Sequence, residues 1–174
     1  MKRTIILTLT AAGLLVLSPH AMLGAQAQQQ TIRVDLDQSL LDKSIIALPQ
    51  IAKLGMSATV PQTEEELRKQ LERICTDAGF DSYDQCAQVT GYVGMIISAW
   101  DQRALRFRDP IVLMRAQLSR LEADTSPPTP EREQTMVQMK EILGRFPGGV
   151  PRAHLDLATS NRDRIFEAIG RARG

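Results

Sequence analysis

Cys75 and Cys86 are separated by ten residues and bracket the turn sequence Ala78-Gly-Phe-Asp81; the chain has no other cysteine. In an oxidising compartment such a pair reads as a disulfide. A redox pair would use the Cys-x-x-Cys spacing, which lets one thiol attack through a small ring, and this spacing is wider. A bridge over so short a loop leaves few chain paths. With helix signals on both sides, the sequence predicts an antiparallel helical hairpin stapled near its turn.

The compartment follows from the start of the chain. Lys2 and Arg3 precede an uncharged run from Ile5 to Leu17, and Leu23-Gly-Ala-Gln-Ala27 supplies the small residues of a cleavage site. That is the layout of a secretory signal peptide over residues 1–27. A membrane anchor needs about 20 consecutive apolar residues, and Ser18-Pro19-His20 interrupts too early. The protein is therefore expected to be periplasmic or secreted, with no transmembrane segment after cleavage. The remaining chain, about 147 residues, has the size of one domain. Aromatic residues make up only 4 % of the sequence, which favours helices over a β-sandwich. Near-balance of acids and bases argues against a nucleic-acid partner.

The fold class expected is all-α: a small bundle of about five helices, preceded by an N-terminal arm and short helices over residues 28–60, with the helical domain over 61–174. Ile32-Arg-Val-Asp-Leu36 alternates apolar and polar but has no similar run to pair with, so it reads as an extended arm lying on the helices. Gln38 to Leu54 has a ragged helical period that Pro49 is expected to kink or divide. Thr63 and Glu66 form a capping-box pattern before the stripe Leu67, Leu71, Ile74 and Cys75, and Gly79 is placed to end that helix. Ser82 and Gln85 repeat the pattern before a nearly charge-free helix expected to run to Trp100 as a buried centre.

Asp109-Pro110 restarts a helix with the stripe Ile111, Met114, Leu118 and Leu121. Thr129-Pro130 starts another, with Met136, Met139, Leu143 and Phe146 on one face. The last helix is expected from Pro151 to about Arg171, burying Leu155, Ala158, Ile165, Phe166 and Ile169.

Little in this sequence nominates catalysis. After the signal the only histidine is His154, read as a surface or capping residue near a helix start. With both thiols assigned to the bridge, no metal ligand set converges, and Met136 with Met139 reads as core rather than a copper(I) pair. There is no Cys-x-x-Cys-His for haem and no Gly-x-Ser-x-Gly elbow. The acids Asp81, Asp84, Glu131 and Glu133 sit at helix starts, where the helix dipole accounts for them. No catalytic residue, metal or cofactor is assigned, and the protein is expected not to be an enzyme.

Two surfaces carry the functional expectations. Arg103, Arg106, Arg108, Arg115 and Arg120 straddle the bend at Asp109-Pro110, and guanidinium suits planar contact with carboxylates or phosphates. The leading expectation is an exported non-enzymatic protein that binds another periplasmic or envelope protein there, as a chaperone or adaptor. The bland alternative is that these arginines pair with Asp101, Asp109, Glu122 and Asp124. The second surface is Gly91, Gly94 and Ser98, where two glycines in a helix suggest close approach by another backbone or an apolar ligand, and hence a small-ligand carrier.

Overall fold

The computed structural model describes residues 33–56, 63–127 and 129–173. The signal-peptide assignment lies outside them, as do Ile32, Pro61 and Pro128. The stapled hairpin is there: α2 (Glu64–Asp77) and α3 (Tyr83–Ser98) are joined by a five-residue turn. Thr63 caps α2 with the full reciprocal box, its hydroxyl accepting from the Glu66 N–H while the Glu66 carboxylate accepts from the Thr63 N–H. At the other end Gly79, at φ 84°, turns left-handed; its N–H bonds the Thr76 carbonyl and the Phe80 N–H bonds the Cys75 carbonyl. This Schellman closure tucks Phe80 into the core. The Cys75 and Cys86 Cα atoms are then 5.7 Å apart and the disulfide is formed.

The remaining elements pack around α3. The arm at residues 33–37 is extended, with Leu36 buried, Val34 against the core, and Arg33 and Asp35 outward. Its period-two alternation therefore reflects an inner and an outer face rather than a sheet. Helix α1 (Gln38–Met56) packs on α2, α3 and α7 (Arg162–Arg173); α6 (Arg152–Ser160) packs on α3 and α7. Helix α4 (Pro110–Ala123) joins the core through Ile111 and Leu118, and α5 (Pro130–Arg145), with no fully buried residue, packs on α4. Among the described residues no helix is long and apolar enough to cross a membrane.

The described residues form seven helices rather than about five, and they are not purely helical. Pro49 does not divide α1: Leu41, Ser44 and Ala47 are wholly buried along one side, and this packing outweighs the single helix bond that proline removes. The last helix is two helices, because buried Asn161 breaks it. Its amide exchanges hydrogen bonds with Gln38 at 3.1 and 3.2 Å and donates to the Leu157 carbonyl. Helix α3 stops at Ser98, and the chain forms a β-hairpin of β1 (Trp100–Asp101) and β2 (Arg106–Phe107), in register Trp100 to Phe107 and Asp101 to Arg106. Phe166 is 38 % exposed rather than buried, yet its ring stacks on Phe107 and meets Trp100 edge-on. Gln85 departs from the expected box as well: Ser82 accepts from the Gln85 N–H, but the Gln85 side chain reaches Asp81 instead of Ser82.

Two stability predictions follow from these constraints. Replacing both cysteines by serine should lower unfolding free energy by about 2–3 kcal/mol in urea titration, the value expected for closing so short a loop. Gly149→Ala should cost about 1–3 kcal/mol in the same assay. Gly149 stands at φ 78°, where a Cβ would lie 2.5 Å from the Asp109 carboxylate.

Candidate functional site

The arginine bend is built on the hairpin that sequence periodicity missed. The Asp101 side chain accepts from the backbone N–H groups of Arg103 and Ala104 at 3.0 Å each, folding the loop back on itself. These bonds hold the Asp101 carboxyl below its usual range, helped by Arg108 and Arg103. Behind the strands, Trp100 packs edge-on against Phe107 at 4.9 Å, with the Arg162 guanidinium over the indole. The loop is thus pinned on both sides. Leu105 at its tip is left-handed, φ 50°, and 59 % exposed.

The next constraint is Asp109. One carboxylate oxygen caps α4 by accepting from the Ile111 N–H at 2.8 Å, and the other accepts from the Val150 N–H at 3.2 Å. One side chain therefore fixes the start of α4 to the loop before α6. Two open hollows flank the hairpin. One, of about 430 Å³, is lined by Trp100, Asp101, Arg103 and Arg108 among others; the other, of about 340 Å³, by Arg106, Arg108, Val112 and Arg152 among others.

The acids expected to neutralise the arginines are mostly engaged elsewhere. Asp109 is occupied by backbone donors, Glu122 pairs with Lys140 at 2.9 Å, and Asp124 pairs with Arg132 at 3.4 Å. Only Asp101 meets the cluster, 3.8 Å from Arg108. Arg106 and Arg120 have no carboxylate partner among the described residues. Arg115 instead donates to the Pro147 carbonyl at 2.5 Å, bracing the α4 flank against the loop before α6. Arg103, Arg106 and Arg108 thus gather at the hairpin, whereas Arg115 and Arg120 lie further along α4. Arg132, unremarked in the sequence, bonds the carbonyls of Leu121, Asp124 and Ser126 and ties the end of α4 to α5. Its place two residues after Pro130, facing an acid across the connection, was the available signal.

Among the described residues, nothing outside the backbone of α3 itself lies within 4 Å of a Cβ added at Gly91 or Gly94, so no other described helix approaches closely there. Asp84, Ala87, Gln88, Gly91 and Ser98 form an exposed face of α3, which is therefore amphipathic rather than buried all round. The Ser98 hydroxyl donates to the Met95 carbonyl.

His154 is 8 % exposed and is neither a surface nor a capping residue. Its Nδ1 lies 2.8 Å from the Tyr92 hydroxyl, and its Nε2 is 3.9 Å from the carboxylate of Asp35 in the arm. Burial, and then the charge of Asp109, push the Tyr92 phenol up to about 12, so it stays neutral. Burial lowers the His154 pKa, partly opposed by Asp35. The pair joins α3, α6 and the arm. Neither residue lines the hollows at the hairpin, so the contact is one of support. Among the described residues, no group of three or more His, Cys, Asp or Glu is placed to hold a metal ion. No protein-family model, curated protein or solved structure matches the chain.

A histidine whose folded pKa lies below 6.5 binds its proton more readily in the unfolded chain. Its contribution to stability is complete above 6.5 and is lost as pH falls from there toward the lower folded value. The urea midpoint should therefore be lower at pH 5.5 than at pH 7.5, and His154→Gln should shrink that difference. The lowered carboxylates, Glu66, Asp101, Asp124 and Asp163, lose their contributions only in more acid solution.

Proposed function

We propose that the chain is an exported, non-enzymatic helical protein that binds another periplasmic or envelope protein as an adaptor or chaperone, through the arginine-bearing bend. One observation supports this reading above the rest: on a chain with nearly balanced charge, Asp101 alone of the nearby carboxylates reaches these arginines, at Arg108, while Asp109, Glu122 and Asp124 are taken by other partners. Guanidinium groups held at a surface without a carboxylate are ready for planar, two-point contact with one from outside. The hairpin supports the same reading, since its aromatic backing fixes Arg106 and Arg108 on a rigid element and lowers the ordering cost of binding.

Reversing the charge at Arg106 and Arg108 together should release a protein that copurifies with the wild type from a periplasmic extract, while circular dichroism stays unchanged. Retention of every partner by the folded variant rejects the assignment. Native mass spectrometry of gently isolated wild type should show a protein-sized addition; an addition of a few hundred daltons would favour a ligand carrier instead.

A further inference from the structure

The two hollows beside the hairpin adjoin at Arg108 and Leu113, which line both, and together they reach as a trough from Ser98 on α3 to Arg152 on α6. Arg103, Arg106, Arg108 and Arg152 line it, against two acids. Of these acids, Asp109 already accepts two backbone N–H groups and Asp101 accepts two more. Arg152 is engaged by Asp156 through Nε in an exposed pair, an interaction of the kind that contributes little. The trough is therefore positive, with donors spread along its length.

Its floor and rim are apolar. Phe107, Val150 and Leu155 lie beneath, and Val112 stands 53 % exposed at the start of α4, outside that helix's buried stripe. Leu105, between the lining residues Arg103 and Arg106 but itself lining neither hollow, projects into water from the hairpin tip. A left-handed conformation is unfavourable for a non-glycine residue, and exposure returns nothing to the fold. Strain and an exposed leucine together, on a loop pinned by Asp101 and by the aromatic cluster, are the marks of a presented side chain rather than of packing.

We infer that this trough takes an extended acidic segment of a partner polypeptide, its carboxylates on the arginines and an aliphatic side chain against Val112 and Leu105. The inference rests on the protein-binding reading above and supplies the chemistry of the partner. Charge complementarity selects the acid. Shape selects a polypeptide: a small molecule is held by covering most of its surface, which an open trough does not do, whereas an extended chain can span both hollows.

Trp100 lines the trough and is the only tryptophan, so its emission reports occupancy. The probe is a capped twelve-residue peptide with two glutamates for each leucine; its lysine counterpart, phosphatidylglycerol vesicles and a single-stranded oligonucleotide are the comparisons. The acidic peptide should give a saturable change that the lysine peptide does not, weakening about tenfold or more on raising salt from 0.05 to 0.5 M. Arg103→Ser with Arg106→Ser should weaken it about tenfold, and Arg120→Ser should not change it. Leu105→Asn keeps a residue that tolerates the left-handed turn, so it should stay folded and still lose affinity.

No saturable response, a response indifferent to the arginine pair, or tighter binding of the vesicles or the oligonucleotide overturns the inference. If the charge-reversed protein loses its copurifying partner while the peptide fails to bind, only the acidic-segment assignment falls. If the peptide binds while the partner is retained, the protein-binding reading falls instead.

Discussion

A disulfide between residues 75 and 86 leaves α2 and α3 one way to run, side by side and reversed. Helices α1, α4 and α6 also pack on α3, and α5 and α7 reach it through them. The cysteines themselves are among the least exposed residues, so the bridge is part of the core and not a clasp on its outside. Val93 and Ile96, two and three turns further along α3, continue the same buried side toward α1, α4 and α6. A protein of this size buries a modest core, and the bridge lets that core be assembled on one preset hairpin.

The second organising contact is a single carboxylate. Asp109 caps α4 with one oxygen and holds Val150 with the other, and Gly149 is the residue that lets the loop come so near. That junction is also the floor of the trough. The side chains that give the bend its charge are consequently mounted on a frame set by backbone hydrogen bonds, with no need for ion pairs among themselves.

Much of this was legible in the chain. The caps at Thr63, Ser82, Asp109 and Thr129 are local chemistry, in which one side chain meets a backbone N–H two or three residues on, and spacing suffices to find them. The stapled hairpin was legible for the same reason. What was not legible depends on distant partners. Asn161 breaks a helix because Gln38, far off in sequence, meets it. His154 is buried because Tyr92 lies across from it. The short β-hairpin has strands of two residues, too brief for any period, and is held by Asp101 and by aromatic contacts with Phe166. The open face at Gly91 shows the converse limit: glycine in a helix permits close approach, and only a neighbour can use that permission. The arginines of the bend were visible in the sequence, but that only Asp101 among the nearby acids reaches them depends on where Lys140, Arg132 and Val150 come to lie.

Helix α5 has a particular standing in this design. It buries no residue fully, packs on α4, and is fastened by Arg132 at its start, by Lys140 along its length and by Phe146 against Tyr92 at its end. Its links to the rest are thus polar at its start and apolar at its end, where Ile142, Leu143 and Phe146 pack on the core, while α3 is held by covalent and apolar contacts. In a protein arranged this way the polar start of α5 is the part expected to loosen first under gentle stress, while the bridged centre keeps its shape. The trough at the root of α4 sits on the boundary between the part that yields and the part that holds.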